Sequence, residues 1–270
     1  MESELGYYEA KALLEWQIEL GADEAIEDAP IDRYEIPVVL APPAALKPKS
    51  KTPPKPVEKS AADLLAEARK RAVEAAQNAN TLDELADAMQ NFEGCELKKG
   101  ARGFCFADGN PNAEIMVIGD VPNVDEDRNN TPFYGIQGQL LDRMFAAIGH
   151  VRSAPDPETA LYLTTVLPWP TPQNRDPSMD ELSLMRPFLA RHIELVAPRV
   201  VVLMGNAPCL SLLGKGNINR QRGKWATAQE RPALPMLHPE KLLRSPLSKR
   251  EAWADLLALQ SRLRELKSNG

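Results

Sequence analysis

The feature of this sequence that most constrains its fold is a series of short apolar runs, each ending in a polar loop. The run at residues 115–118 stops at Gly119, and an amphipathic segment typical of a helix begins at Gln139. Three further runs, the last one weak because it contains prolines, lie at residues 161–167, 200–204 and 231–237. Strands that alternate with helices predict an α/β fold: a three-layer sandwich with a central, mainly parallel four-stranded sheet.

The chain before these runs has a different composition. Residues 1–35 carry a helical pattern over residues 7–25 and predict an N-terminal helical segment. Residues 36–59 contain seven prolines together with several lysines, a composition typical of a linker. Helix-forming sequence follows directly, and a capping pattern at Thr81 predicts another helix. We therefore expect residues 60–270 to form the α/β domain, with N-terminal helices in addition to the sheet.

Composition excludes several classes of protein. No stretch approaches the ~20 apolar residues that a membrane span requires, and the acidic N-terminus lacks the basic region of a secretory signal. We expect a cytoplasmic protein without a membrane partner. Cys95, Cys105 and Cys209 have no CxxC spacing, which argues against a disulfide framework and against a self-contained metal site.

The distribution of charge is more informative than its total. The net charge is -6, but residues 1–90 carry 18 acidic and 10 basic side chains, whereas the rest of the chain carries 20 and 22. Residues 215–250 contain nine basic residues and only two acidic ones. Such a region is either an ordinary solvated face or a face that binds phosphate.

Polar residues of types that take part in catalysis or binding follow the predicted strands. Asp120 comes directly after residues 115–118, where a carboxylate can position or deprotonate water or simply cap its own turn. His238 follows the last run and precedes a proline, which restricts its backbone to extended conformations; it is either functional or structural. Phe133 can stack on a flat ligand or fill a local core. If the strands are parallel, Asp120 and His238 share one edge of the sheet.

Six motifs together resemble the uracil-DNA glycosylase superfamily, most closely its iron-sulfur-containing branch. They are GDVPN, PFYGIQGQLLDRM, QNRDP, LMGNAP, RGKW and HPEKLLR. The resemblance covers about residues 91–260, and its most specific parts are the second and last motifs. It implies an enzyme that flips a deaminated base out of DNA and hydrolyses its glycosidic bond.

The resemblance also implies roles for individual residues. Asp120 is expected to position water and support the sugar cation, and His238 is expected to stabilise negative charge on the departing base. Phe133 is expected to stack on the flipped base. Further base-binding residues implied by the motifs are Val121, Thr165 and Asn206. Implied DNA contacts are Leu242 and Leu243, which would enter the duplex, and Arg244, Arg222 and Lys224.

Two departures from the family pattern change these expectations. The positions that match the cluster cysteines are Phe92, Cys95, Trp169 and Met185, and a cluster needs about four thiolate ligands. We therefore predict no iron-sulfur cluster, no other cofactor, and apolar packing in its place. Thr165 stands where the family usually has an asparagine, and a hydroxyl offers one rotating group where an amide both donates and accepts.

The sequence thus predicts a DNA glycosylase that removes uracil, or a related deaminated base, in base-excision repair. Its expected partner is DNA, and we expect a monomer. The alternative is a catalytically weak or inactive glycosylase-like protein that binds DNA through the same cleft, as Thr165 and the missing cysteines suggest. A nucleotide-binding module of similar fold is a third hypothesis, but the sequence has neither a P-loop nor a GxGxxG motif.

Overall fold

The computed structural model describes residues 11–13, 15–17 and 61–268. The chain divides into two units, Met1–Val57 and Glu58–Gly270. The sheet and its helices belong to the second unit. In the first unit residues 11–13 and 15–17 are helical, while the other residues of the predicted N-terminal helix and the predicted linker lie outside the described residues. The domain boundaries at residues 35 and 59 therefore stay predictions.

A six-stranded sheet forms the centre of the described domain, in the order β1-β3-β2-β4-β6-β5. The four inner strands are parallel to one another, as predicted. Two short strands that the sequence did not predict pair antiparallel at the two edges. The strands are β1 (Ala107–Gly109), β2 (Ile115–Gly119), β3 (Leu161–Thr165), β4 (Val200–Met204), β5 (Ala226–Ala228) and β6 (Arg231–Met236).

Helices connect the strands and cover the sheet. They are α1 (Ala61–Asn78), α2 (Leu82–Asn91), α3 (Val124–Asn129), α4 (Ile136–Ala146), α5 (Met179–Val196), α6 (Asn206–Leu213), α7 (Ile218–Gln221), α8 (Pro239–Arg244) and α9 (Lys249–Ser268). Short 3-10 turns occupy Glu96–Gly100, Pro172–Asn174 and Pro246–Ser248. None of the helices among the described residues combines the length and apolarity needed to cross a membrane.

The three-layer sandwich is confirmed by two separate hydrophobic cores, one on each face of the sheet. Successive residues of a strand point to opposite faces, and β2 shows this directly. Met116 and Ile118 pack in the core that includes residues of α1, α2, α5 and α6. Ile115 and Val117 pack in the other core, with residues of α4 and α9. All four side chains are fully buried, because the parallel strands are covered on both sides.

The helix starts follow the capping chemistry in the sequence. Ser178 caps α5 by accepting a hydrogen bond from the Glu181 amide, and the Glu181 carboxylate accepts from the Ser178 amide in return. Thr81 accepts from the Glu84 amide at the start of α2, as predicted. The Glu84 carboxylate, however, accepts from the Asn80 amide rather than from the Thr81 amide, so the reciprocal bond of the predicted capping box is not formed.

Candidate active site

The carboxyl ends of the four parallel strands meet at one edge of the sheet. Gly119 at the end of β2 pairs with Thr165 at the end of β3, and Met204 at the end of β4 pairs with Met236 at the end of β6. The loops that follow these strands therefore lie side by side, as the sequence predicted. In open α/β sheets this edge is where ligands bind.

Two adjoining cavities at this edge bring the predicted residues together. One has a volume of about 570 Å³ and the other of about 300 Å³. Both are lined by Asp120, Asn206, Glu240 and Arg244. His238 lines the larger cavity and Val121 lines the smaller one. We call these two cavities together the cleft.

Asp120 is held in the cleft by the loop that follows β4. Its Oδ1 accepts a hydrogen bond of 2.8 Å from the Ala207 amide at the start of α6. Gly205 has a φ of +115°, and a Cβ at this residue would lie 1.9 Å from Asp120 Oδ2, so only glycine allows the carboxylate this close. Burial raises the pKa of Asp120 to about 6. The carboxylate is therefore ionised at neutral pH but accepts a proton more readily than an exposed aspartate.

His238 is presented to the cleft as a neutral imidazole. Burial lowers its pKa to about 4. Its Nδ1 accepts a hydrogen bond of 3.3 Å from the Glu240 amide at the start of α8. Since Nδ1 is an acceptor in this bond, the single ring proton belongs on Nε2. His238 can therefore donate one hydrogen bond from Nε2 without carrying a charge.

Phe133 packs against His238 and is shielded from solvent. The two ring centroids are 5.4 Å apart, with an interplanar angle of 24°, and the Phe133 side chain is 2% exposed. Gly119 makes room for the ring, because a Cβ there would lie 2.6 Å from Phe133 Cζ. Phe133 lines neither of the two cavities, and its predicted stacking on a base stays a prediction.

Thr165 does not point its hydroxyl at a ligand. Its Oγ1 donates a hydrogen bond of 2.7 Å to the carbonyl of Leu167, and the residue is buried. The only proton of the hydroxyl is therefore used within the loop. This geometry gives Thr165 a structural role and does not support the predicted contact with a base.

Asn206, which was also predicted to contact the base, lines the cleft. Its Oδ1 accepts a hydrogen bond of 2.8 Å from the Ile218 amide. That bond fixes the orientation of the side-chain amide, because only the oxygen can accept from a backbone N–H. Asn206 therefore offers its Nδ2 hydrogens as donors for an acceptor in the cleft.

One of the two leucines predicted to enter the duplex is buried in the structure. Leu242 is 1% exposed and belongs to the hydrophobic core, so it cannot be inserted into DNA. Leu243 is partly exposed. Leu247, in the turn that follows α8, is 93% exposed and was missed by the sequence analysis. Arg244 is exposed, and its guanidinium contacts the Glu240 carboxylate at 2.5 Å; its predicted contact with phosphate stays a prediction.

The two predicted basic DNA contacts before β5 differ from each other. Arg222 is bound in a bidentate ion pair with the buried Asp255, at 2.7 and 3.0 Å, and also donates to the Glu251 carbonyl. Its guanidinium therefore binds two residues of α9 and is not directed at a phosphate. Lys224 is exposed and remains a predicted phosphate contact.

The residues at the positions of the family's cluster ligands do not fit an iron-sulfur cluster. Phe92, Cys95, Trp169 and Met185 are all buried in the same hydrophobic core, and Phe92 makes an edge contact with Phe188 at 5.3 Å. Burial also raises the pKa of the one thiol, Cys95. In the described part of the chain, no three His, Cys, Asp or Glu side chains are grouped so that they could hold a metal.

Glu126 is a second buried carboxylate next to the site that the sequence analysis did not identify. It lies on α3, which Asn123 caps by accepting from the amides of Asp125 and Glu126. One Glu126 oxygen accepts from the Asn123 amide and the other from the Phe133 amide. The Asn-x-x-Glu spacing is a capping-box signal and was present in the sequence.

The fold and the site together define an α/β protein with a cleft, a buried carboxylate and a neutral histidine at the carboxyl edge of a parallel sheet. The comparisons with known proteins agree with this class. The model of the uracil DNA glycosylase superfamily matches residues 106–257. The chain belongs to this superfamily, which confirms the resemblance seen in the sequence.

Relatives named type-4 uracil-DNA glycosylase match most of the described domain. The protein from Saccharolobus solfataricus is 32% identical over 176 residues, which are 62% of this chain and 79% of the relative. The protein from Archaeoglobus fulgidus is 34% identical over 125 residues, 46% of this chain and 60% of the relative. The protein from Thermotoga maritima is 27% identical over 170 residues, 61% of this chain and 84% of the relative.

Proposed function

We propose that this protein is a DNA glycosylase that hydrolyses the bond between deoxyribose and uracil, or a related deaminated base, in base-excision repair. The observation that carries the proposal is the neutral His238, with a free Nε2 hydrogen, in one cleft with the Asp120 carboxylate. Relatives named uracil-DNA glycosylase support the choice of substrate.

His238 stabilises the leaving group. When the glycosidic bond breaks, both of its electrons stay with the base, which departs as an anion. A neutral imidazole that donates from Nε2 lowers the energy of the negative charge developing on a base oxygen. Because the pKa of His238 is about 4, the ring remains neutral at physiological pH and does not transfer a full proton in this step.

Asp120 acts on the other side of the bond. Loss of the base leaves a positively charged sugar, which a nearby carboxylate stabilises. The same carboxylate accepts a proton from the water that attacks the sugar carbon, which completes the abasic site. That proton then passes to solvent and the departed base anion takes one up, so that the products are the neutral base and the abasic site. The raised pKa of about 6 makes Asp120 a better proton acceptor than an exposed aspartate while leaving it ionised at pH 7.

The surface next to the cleft supports binding of duplex DNA by one chain. Arg244 and Lys241 line the larger cavity, and Lys249 and Arg250 are exposed at the start of α9. Leu247 lies between Arg244 and Lys249 in the sequence, is exposed, and is the side chain we assign to insertion into the base stack. All of these residues come from one compact unit, so we propose that the protein acts as a monomer.

The experiment that tests the function uses a uracil-containing oligonucleotide. The purified protein is incubated with it, and alkali then cleaves any abasic site. Strand cleavage by the wild type that His238→Ala reduces supports the proposal. The rival hypothesis, a DNA-binding protein without catalysis, predicts salt-dependent binding and no base release from uracil, hypoxanthine or xanthine.

A further inference from the structure

We propose that Glu126 and Arg152 are positioning residues that hold Phe133, the side chain assigned to base stacking, in a left-handed backbone conformation. The inference rests on the proposed function, because the importance of Phe133 comes from the base it stacks on. The conformation itself is an observation: Phe133 has a φ of +52°. A bulky residue rarely adopts a positive φ, and such residues persist only where the surroundings hold them.

Glu126 holds the amide side of Phe133. Its Oε1 accepts a hydrogen bond of 2.5 Å from the Phe133 amide, while its Oε2 accepts one of 2.8 Å from the Asn123 amide. The side chain is 3% exposed, so neither bond competes with bulk water. One carboxylate therefore connects the loop that carries Asp120 to the loop that carries Phe133.

Arg152 holds the carbonyl side. Its guanidinium donates to the Phe133 carbonyl at 3.3 Å and to the Pro132 carbonyl at 3.2 Å. Two carboxylates orient this guanidinium, Asp108 at 2.7 Å and Asp142 at 3.1 Å, and its side chain is 17% exposed. Arg152 lies outside every motif of the site and reaches Phe133 only through the backbone.

The two side chains thus fix the Phe133 peptide from opposite sides. Without them, a more common backbone conformation would swing the ring away from His238, which it now contacts at 5.4 Å. The ring contact with His238 would be lost although the domain stays folded. This effect differs from a general loss of stability, because it is confined to the Phe133 ring and to what that ring touches.

A spectroscopic measurement tests the inference without relying on activity. The chain has three histidines, His150, His192 and His238, so their imidazole protons can be followed individually by NMR. In Arg152→Met and in Glu126→Gln we expect the His238 Cε1 proton to shift toward its position in Phe133→Ala, while His192 is unchanged. Arg152→Lys, which keeps the charge, should shift it less.

Arg199→Met is the matched control. It removes an arginine that pairs with Glu114 at 3.0 Å at the opposite end of the strands, and it should leave the His238 resonance in place. Unchanged His238 resonances in both Arg152→Met and Glu126→Gln would overturn the inference.

A kinetic double-mutant cycle with Phe133→Ala gives a second readout. Arg152→Met should lower kcat/KM on uracil DNA by about 10- to 100-fold and add almost nothing in the Phe133→Ala background. Binding to DNA with an abasic site should be unaffected. Equal losses in both backgrounds would contradict the inference. If the wild type is inactive on every base while Arg152→Met and Glu126→Gln still shift the His238 resonance, the proposed function is refuted and the positioning role is not.

Discussion

The rings of Phe133 and His238 stack at 5.4 Å, so the residue assigned to base stacking and the residue assigned to leaving-group stabilisation are in direct contact. The contact has an electrostatic consequence as well as a steric one. Burial lowers the pKa of His238 to about 4, and the Phe133 ring is part of what buries it. The aromatic residue therefore helps to keep the histidine neutral.

Phe133→Leu should change both properties at once. Loss of base stacking, which contributes about 1–3 kcal/mol per base, should raise KM for uracil DNA, and the pKa of His238 should rise because its ring becomes better hydrated. Steady-state kinetics and an NMR titration of the His238 Cε1 proton measure the two effects. Phe133→Tyr, which keeps the ring, is the control; an unchanged pKa in Phe133→Leu would argue against the contact.

The pH dependence of kcat/KM should report Asp120. Its pKa is raised to about 6 by burial, and the ionised form is the active one, so the rate should fall as the pH drops through about 6. Asp176 also raises this pKa by charge repulsion. Asp176→Asn should therefore move the acid limb to lower pH, and Asp120→Asn should remove it together with most of the activity. An acid limb that Asp176→Asn leaves in place would assign it to another group.

Leu242 and Leu247 should respond differently to truncation. Leu242→Ala removes a buried side chain and should lower the free energy of unfolding by about 2–5 kcal/mol. Leu247→Ala removes an exposed one and should leave stability unchanged while reducing activity on double-stranded uracil DNA more than on single-stranded DNA. Chemical denaturation and parallel assays on both substrates make the comparison. Equal activity of Leu247→Ala and the wild type on duplex DNA would show that insertion does not depend on this leucine.

Apolar packing is predicted to replace the iron-sulfur cluster of the related branch. The purified protein should contain no stoichiometric iron. Trp169→Ala should lower the free energy of unfolding by about 3–5 kcal/mol, because Trp169 is buried in the core with Phe92 and Met185. Iron analysis and denaturant unfolding test these expectations. A brown protein with bound iron would contradict the first of them.

The sequence predicted the part of the site that depends on strand ends. Asp120 and His238 directly follow apolar runs, and parallel strands that end at one edge bring such residues together. The sequence could not show which leucine near His238 is buried, since α8 has only six residues and no clear periodicity. The edge strands β1 and β5 have three residues each, which is too short for an alternating pattern.

Contacts between residues that are far apart in the chain could also not be predicted from the sequence. The family resemblance implied that Arg222 contacts DNA, but its partner in the structure is Asp255, which is 33 positions away in the chain. Arg152 and Phe133 are 19 positions apart, and no local pattern connects them. The position of a charged residue in the sequence therefore does not give its partner in the fold.

The most direct test of the central claim is the rate of uracil release from a uracil-containing oligonucleotide, compared between the wild type and His238→Ala in single-turnover conditions. We expect release by the wild type and a decrease of roughly 100- to 1000-fold in His238→Ala, the effect of removing one donor to a developing negative charge. Unchanged release by His238→Ala, or no release of any deaminated base by the wild type, would contradict it.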